Sequence, residues 1–129
     1  MSIAIIAGSR RRYPDAKIAE LCKEYEPTIL IHGGDRGTDQ AAAEVVSNRS
    51  DLHLTEIAVH LNDKAFGMEK AIVHRNKLVV QTAMGLARML EVSVVCFAFP
   101  HSQGNITQDL IKRCEASDIP IVTVGEDDN

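Results

Sequence analysis

Short apolar runs alternate along this chain with stretches in which apolar residues recur every three or four positions. Ser2–Ala7 is a short apolar run closed by Gly8. Asp15–Tyr25 sets Ile18, Leu21, Cys22 and Tyr25 at helical spacing, with Pro14 just before it. Thr28–His32 is β-branched and apolar and breaks at Gly33-Gly34; Thr38–Asn48 follows as an alanine-rich helix with Ala41, Ala42, Val45 and Val46 in one stripe. Leu52–Val59 alternates as a third strand. Met68–Leu90 reads as a long helix with Gly85 as a potential break, and Ile72, Val73, Val79 and Val80 are expected on its buried side. Val92–Phe99 is a continuous apolar run, the pattern of a strand covered on both faces. Asn105–Ala116 is helical and Ile119–Val124 is a last strand.

Strands that alternate with helices at this spacing predict a mostly parallel five-stranded sheet flanked by about four helices, a three-layer, Rossmann-like α/β sandwich. Residues 1–125 are expected to form one domain and 126–129 an acidic tail. At 129 residues, 45% hydrophobic and 25% charged, the chain can bury a core of ordinary size. No apolar stretch approaches the ~20 residues of a membrane helix. Ile3-Ala4-Ile5-Ile6-Ala7 lacks the flanks of a signal peptide, so a cytoplasmic location is expected. Cys22, Cys96 and Cys114 form no C-x-x-C pair and are expected to be buried reduced thiols. His53 and His60 show no metal-ligand spacing, and neither a metal nor a cofactor is expected. The net charge of −4 and an aromatic content of 4% disfavour nucleic acid as a partner.

Ligands of open α/β sheets bind beyond the carboxyl ends of the strands, where strand order reverses. Three segments there carry unusual residues: Gly8-Ser9-Arg10-Arg11-Arg12, His32-Gly33-Gly34-Asp35-Arg36-Gly37-Thr38 and Pro100-His101-Ser102-Gln103-Gly104-Asn105. The second is the most informative. Glycine admits positive φ and close backbone approach, and the helix that follows presents unpaired N–H groups and a positive dipole end, so phosphate or carboxylate is the natural guest. A tight turn capped by Thr38 or Asp39 is the plainer alternative. Neither a Walker A sequence nor G-x-G-x-x-G occurs, which removes support for ATP hydrolysis and conventional NAD binding. Arg10 could clamp an anion; Arg11 and Arg12 are as readily solvated. Asn105 with Gln108 has the spacing of a capping box. In the long helix Arg75 or Asn76 could point into the crevice, with Phe66 before it as a lid or as core filling.

With these segments in view the chain resembles the SLOG superfamily, and within it the YspA-like branch related to YpsA. The resemblance rests on Ala7-Gly8-Ser9-Arg10, on His32 through Ala42, on Arg75-Asn76 and on the stretch from Phe97 through Gly104 to Cys114, and it spans nearly the whole chain. It implies a nucleotide or nucleotide-derived ligand, and self-association as a dimer or larger, for which Met84, Leu86, Met89 and Leu90 offer an apolar stripe. The implied ligand-binding set is Gly8, Ser9, Arg10, Gly33, Gly34, Asp35, Arg36, Gly37, Thr38, Arg75, Asn76, Pro100, Gly104 and Asn105. The superfamily includes the Lonely Guy phosphoribohydrolases, whose second glycine motif is P-G-G-x-G-T-x-x-E, and DprA, which binds single-stranded DNA. Here that motif reads Pro100-His101-Ser102-Gln103-Gly104-Asn105-Ile106-Thr107-Gln108, so Gln108 stands where the hydrolases carry the catalytic Glu. A neutral amide cannot serve as the acid, base or charged stabiliser of glycoside cleavage. Asp109 is one residue too far, about 100° around the helix. The expectation is therefore a non-catalytic sensor or sequestering protein with no assigned catalytic residue. The alternatives are an N-glycoside hydrolase using Asp35, Asp39 or Asp109, and a DprA-like single-stranded DNA module.

Overall fold

The computed structural model describes residues 2–8, 15–34, 37–60, 67–99 and 105–124, with the side chains of 68, 69, 105 and 106 outside the description. Five strands form the sheet: β1 (Ser2–Gly8), β2 (Pro27–His32), β3 (Thr55–Ala58), β4 (Ser93–Phe99) and β5 (Ile121–Thr123). Among the described residues four α-helices connect them: α1 (Asp15–Tyr25), α2 (Thr38–Asn48), α3 (Met68–Leu90) and α4 (Asn105–Ala116), with one 3-10 turn at Ser50–Leu52. The strand order is β3-β2-β1-β4-β5, and every pairing is parallel rather than mostly so. The chain moves outward from β1 to β3, then α3 carries it back to pair β4 against the free side of β1. Because parallel crossovers keep one hand, reversing direction puts the later helices on the opposite face. Strand order therefore reverses between β1 and β4, whose register runs from Ser2↔Ser93 to Gly8↔Phe99.

The two-residue period of β1 sorts the core. Ala4 and Ile6 pack with Ile18, Ala19 and Cys22 of α1 and Ala41, Ala42 and Val45 of α2, together with Phe97 and Phe99. Ile3, Ile5 and Ala7 face the other way, onto Val79, Val80, Ala83 and Ala87 of α3 and Leu110 and Cys114 of α4. Tyr25 closes the first layer against Phe97, ring centroids 5.5 Å apart and tilted. All three cysteines are free and buried, and burial pushes the Cys22 thiol up to about 11. Among the described residues no helix is long and apolar enough to cross a membrane.

Several boundaries differ from the sequence expectation, each for a local reason. The third strand is only Thr55–Ala58: His53 takes a left-handed conformation (φ 52°) that ends the extended run, while Leu52 and Leu54 pack under the α1/α2 layer. The last strand loses its first two positions because Ile119 donates its N–H to Cys114 O at the end of α4, and proline at 120 has no N–H to give. β4 begins at Ser93, after Glu91 turns left-handed and Val92 bonds Ala87 O. Gly85 does not interrupt α3, which runs 23 residues. Its buried stripe falls on Ala71, Arg75, Val79, Ala83 and Ala87, a spacing of four that carries Val73 about 200° away from the sheet. Val73 is accordingly 44% exposed, not buried as its apolar character suggested. Met84 and Leu86 pack on the core, which leaves Met89 and Leu90 as the exposed part of the expected apolar stripe.

Candidate functional site

The carboxyl ends of β1 and β2 lie side by side next to the point where strand order reverses, and strand parity aims their terminal glycines in opposite directions. Gly8 continues the Ala4–Ile6 side and meets α2; a Cβ there would overlap the Cβ and Cγ2 of Thr38. Gly33 continues the Ile31 side and meets α3; a Cβ there would stand 2.7 Å from Nε of Arg75 and 2.8 Å from its Cζ. Both glycines are therefore close-approach positions, one for a methyl-bearing side chain and one for a guanidinium. Thr38 is fully buried by this contact, and Thr107 Oγ1 donates to the Gly8 carbonyl at 2.9 Å, so the end of β1 is gripped by both α2 and α4.

Arg75 is only 4% exposed and its neighbour Asn76 is fully buried. An arginine Nη2 donates to Asn76 Oδ1 at 3.3 Å, and Asn76 Nδ2 donates to Asp109 Oδ2 at 2.9 Å, which fixes the orientation of the amide. Arg113 Nε also donates to Asp109 Oδ2, at 2.9 Å. Burial raises the Asp109 carboxyl, but the bonds from Asn76 and Arg113 outweigh it and hold the group below its ordinary value. A relay thus runs from the guanidinium under Gly33 to the first turns of α4.

Gly34 turns the chain at φ 70°, a conformation that glycine adopts without strain, and its N–H donates to Nδ1 of His32 at 2.9 Å. That bond makes Nδ1 an acceptor, so the ring proton sits on Nε2 and is donated to Glu56 Oε2 at 2.7 Å. His32 is 3% exposed; Glu56 faces a cleft of about 550 Å³ bordered by Gly34, His32, Asp39, Gln40, Ala58 and His60. Asp39 is itself buried in the first turn of α2, where its charge suits the helix dipole. Asp39 Oδ1 and Arg75 Nε make no hydrogen bond among the described residues, although both side chains have other interactions.

Of the residues expected to bind, Gly8, Gly33, Gly34, Gly37, Thr38, Arg75 and Asn76 come together around the ends of β1 and β2. Ser9, Arg10, Asp35, Arg36, Pro100 and Gly104 lie outside the described residues, as do Arg11, Arg12, Phe66, His101 and the acidic tail; so does the side chain of Asn105. Neither Thr38 nor Asp39 is the helix cap: the N-cap of α2 is Gly37, which has no side chain to cap with, and Thr38 is turned inward against Gly8. Gln108 is exposed on α4, whereas Thr107 beside it is buried. Sequence reasoning missed the His32–Glu56 pair. No local signal carried it: the pair follows from the β2–β3 register, which sets Leu30 opposite Glu56, with the two-residue period bringing His32 onto the same face. Among the described residues no group of three His, Cys, Asp or Glu side chains is placed to hold a metal ion. No protein-family model and no curated protein matches the chain.

Proposed function

We propose that this chain, as a member of the SLOG superfamily, binds a nucleotide or nucleotide-derived small molecule where the ends of β1 and β2 meet α2 and α3, and that it acts by binding, as a sensor or sequestering protein. The observation that carries this reading is Arg75, a guanidinium with 4% exposure held directly against the backbone of Gly33. Burying a guanidinium costs several kcal/mol, which an apolar side chain in that helical stripe would avoid. Its position beside a glycine turn that opens into the α2 N-terminus fits an anionic group, phosphate above all.

The hydrolase alternative finds less support. The carboxylate of Asp109 is engaged by Asn76 and Arg113, and Gln108 in the motif position points outward. Self-association belongs to the same proposal, with Met89 and Leu90 the apolar side chains a second copy would cover; a monomer mass in light scattering would remove it.

The test is calorimetric titration with a panel of ribo- and deoxyribonucleotides, with base release followed by chromatography on the same samples. The expected outcome is saturable binding without free base, and affinity lowered about tenfold or more by Arg75→Ala and by Gly34→Val. Unchanged affinity in both folded variants would overturn the site. Steady turnover abolished by Arg75→Ala would establish the enzyme instead.

A further inference from the structure

We infer that the cleft between β3 and α2 is the sugar subsite of this ligand, and that Glu56 receives the vicinal hydroxyls of a ribose. The inference rests on the nucleotide reading and adds to it which part of the ligand goes where. Glu56 is anchored but not consumed. Its Oε2 accepts one bond from His32 at 2.7 Å, its side chain keeps 31% exposure, and it lines a cleft of about 550 Å³. A carboxylate has about four lone-pair sites, so a single histidine bond leaves acceptors on both oxygens. Two adjacent hydroxyls, each an O–H donor, match that geometry; a second phosphate would be repelled by it.

His32 determines what else the cleft can take. One ring nitrogen accepts from Gly34 N–H and the other donates to Glu56, so neither presents a lone pair to a metal ion. The same ring ties the carboxylate to the glycine turn through the bond it accepts from Gly34 N–H, making the acceptor and the turn one rigid unit. Gly34 belongs to both: it borders the cleft, and it is the next residue after the glycine packed on Arg75. A ligand seated in the cleft meets the Glu56 carboxylate directly, while the Arg75 guanidinium lies against Gly33 on the other side of the strand end. A hydroxyl-donating part in the cleft, with an anionic part directed toward the glycine turn, is the chemistry of a phosphorylated ribose. His60 stands over Gly34, its Nδ1 2.7 Å from where a Cβ would be, and forms a wall of the same cleft.

Calorimetric titration of the full chain with AMP and with 2′-deoxy-AMP tests this. The wild type is expected to prefer AMP by about tenfold, the worth of one hydrogen bond to a charged acceptor. Glu56→Gln removes the charge and half of the acceptor set and should bring the ratio toward one. Glu56→Asp keeps the charge but retracts the carboxylate, and should also lower the ratio, which covers the case in which the Gln variant does not fold. Equal affinity of the wild type for the two nucleotides would overturn the sugar subsite while leaving the nucleotide reading intact. A wild-type preference retained by either folded Glu56 variant would do the same. Binding of neither nucleotide would overturn both readings.

Discussion

The two ends of the sheet solve the same steric problem with different residues. At the amino ends, where helices and the 3-10 turn hand over to strands, the chain turns left-handed at Glu26 (φ 50°), His53 (φ 52°), Glu91 (φ 56°) and Asp118 (φ 58°). Glycine is the favoured residue for such a C′ position, yet none of the four is glycine. At the carboxyl ends, where strands hand over to helices, glycine stands at 8, 33, 34, 37 and 67. Three of these, Gly8, Gly33 and Gly34, are close approaches to Thr38, Arg75 and His60, and Gly34, Gly37 and Gly67 take positive φ. Glycine in this protein is thus concentrated where backbone must come near another group. The ends with a purely connecting task tolerate the strain of side-chain-bearing residues. Most of the buried polar residues among those described divide in the same way: His32, Thr38, Asp39, Arg75, Asn76 and Thr107 sit at the carboxyl end of the sheet, and Ser2 alone at the amino end.

The comparison breaks most visibly at Gly8. Gly8→Ala should destabilise the protein by about 1–3 kcal/mol, because the new methyl must displace the Cβ of a fully buried threonine. Adding Thr38→Gly should recover part of that loss, and Thr38→Ser should not, since serine keeps the offending Cβ. Denaturant titration of the three variants measures this; a Gly8→Ala protein as stable as wild type would show that the close approach does not constrain the fold.

Smaller and opposite in sign, Glu91→Gly should stabilise by a few tenths of a kcal/mol to about 1 kcal/mol, the relief of a left-handed turn less the added freedom of the unfolded chain. Gly85→Ala, in the middle of α3 with open space where its Cβ would go, should also stabilise, by roughly 0.5–1 kcal/mol. If glycine at 91 lowers the melting temperature, the amino-end turns have a task beyond connection and the contrast drawn above fails.

The smallest effect concerns acid. Asp109 has its folded-state value held below 3.8, so the stability it lends is complete above that value and is lost as pH falls through the depressed one. Asp109→Asn should therefore lower stability most at neutral pH, where the wild-type contribution is complete, and flatten the acid limb as the two curves converge at low pH. An acid limb identical to wild type would mean that the Asn76–Asp109–Arg113 relay is not a stabilising connection.

Much of the architecture was legible from one-dimensional pattern, because helix and strand periods are local properties. The central apolar strand, read as Val92–Phe99 and observed as Ser93–Phe99, and the long helix Met68–Leu90 follow from the order of residues alone, and Val79 and Val80 fall on the buried side as read. The boundaries that shifted are those set by single residues in special conformations, His53 and Glu91, whose side chains give no warning of a left-handed turn. Val73 was misplaced for a related reason: apolar character argues for burial, but the neighbours at 71 and 75 had already claimed the face toward the sheet.

By itself the sequence determined the parallel α/β order, the glycine turn after β2 and the presence of Arg75 one helix away from it. Only the tertiary structure decided which of these meet. Gly33 packs on Arg75 and Gly8 on Thr38 because strand parity points successive ends toward opposite layers, and that depends on pairings between segments far apart in the chain. The His32–Glu56 pair depends in the same way on the β2–β3 register. Hydrogen bonds and charges act over a few ångströms of space, not over positions in a sequence, so a site assembled from five elements takes its chemistry from the folding that brings them together.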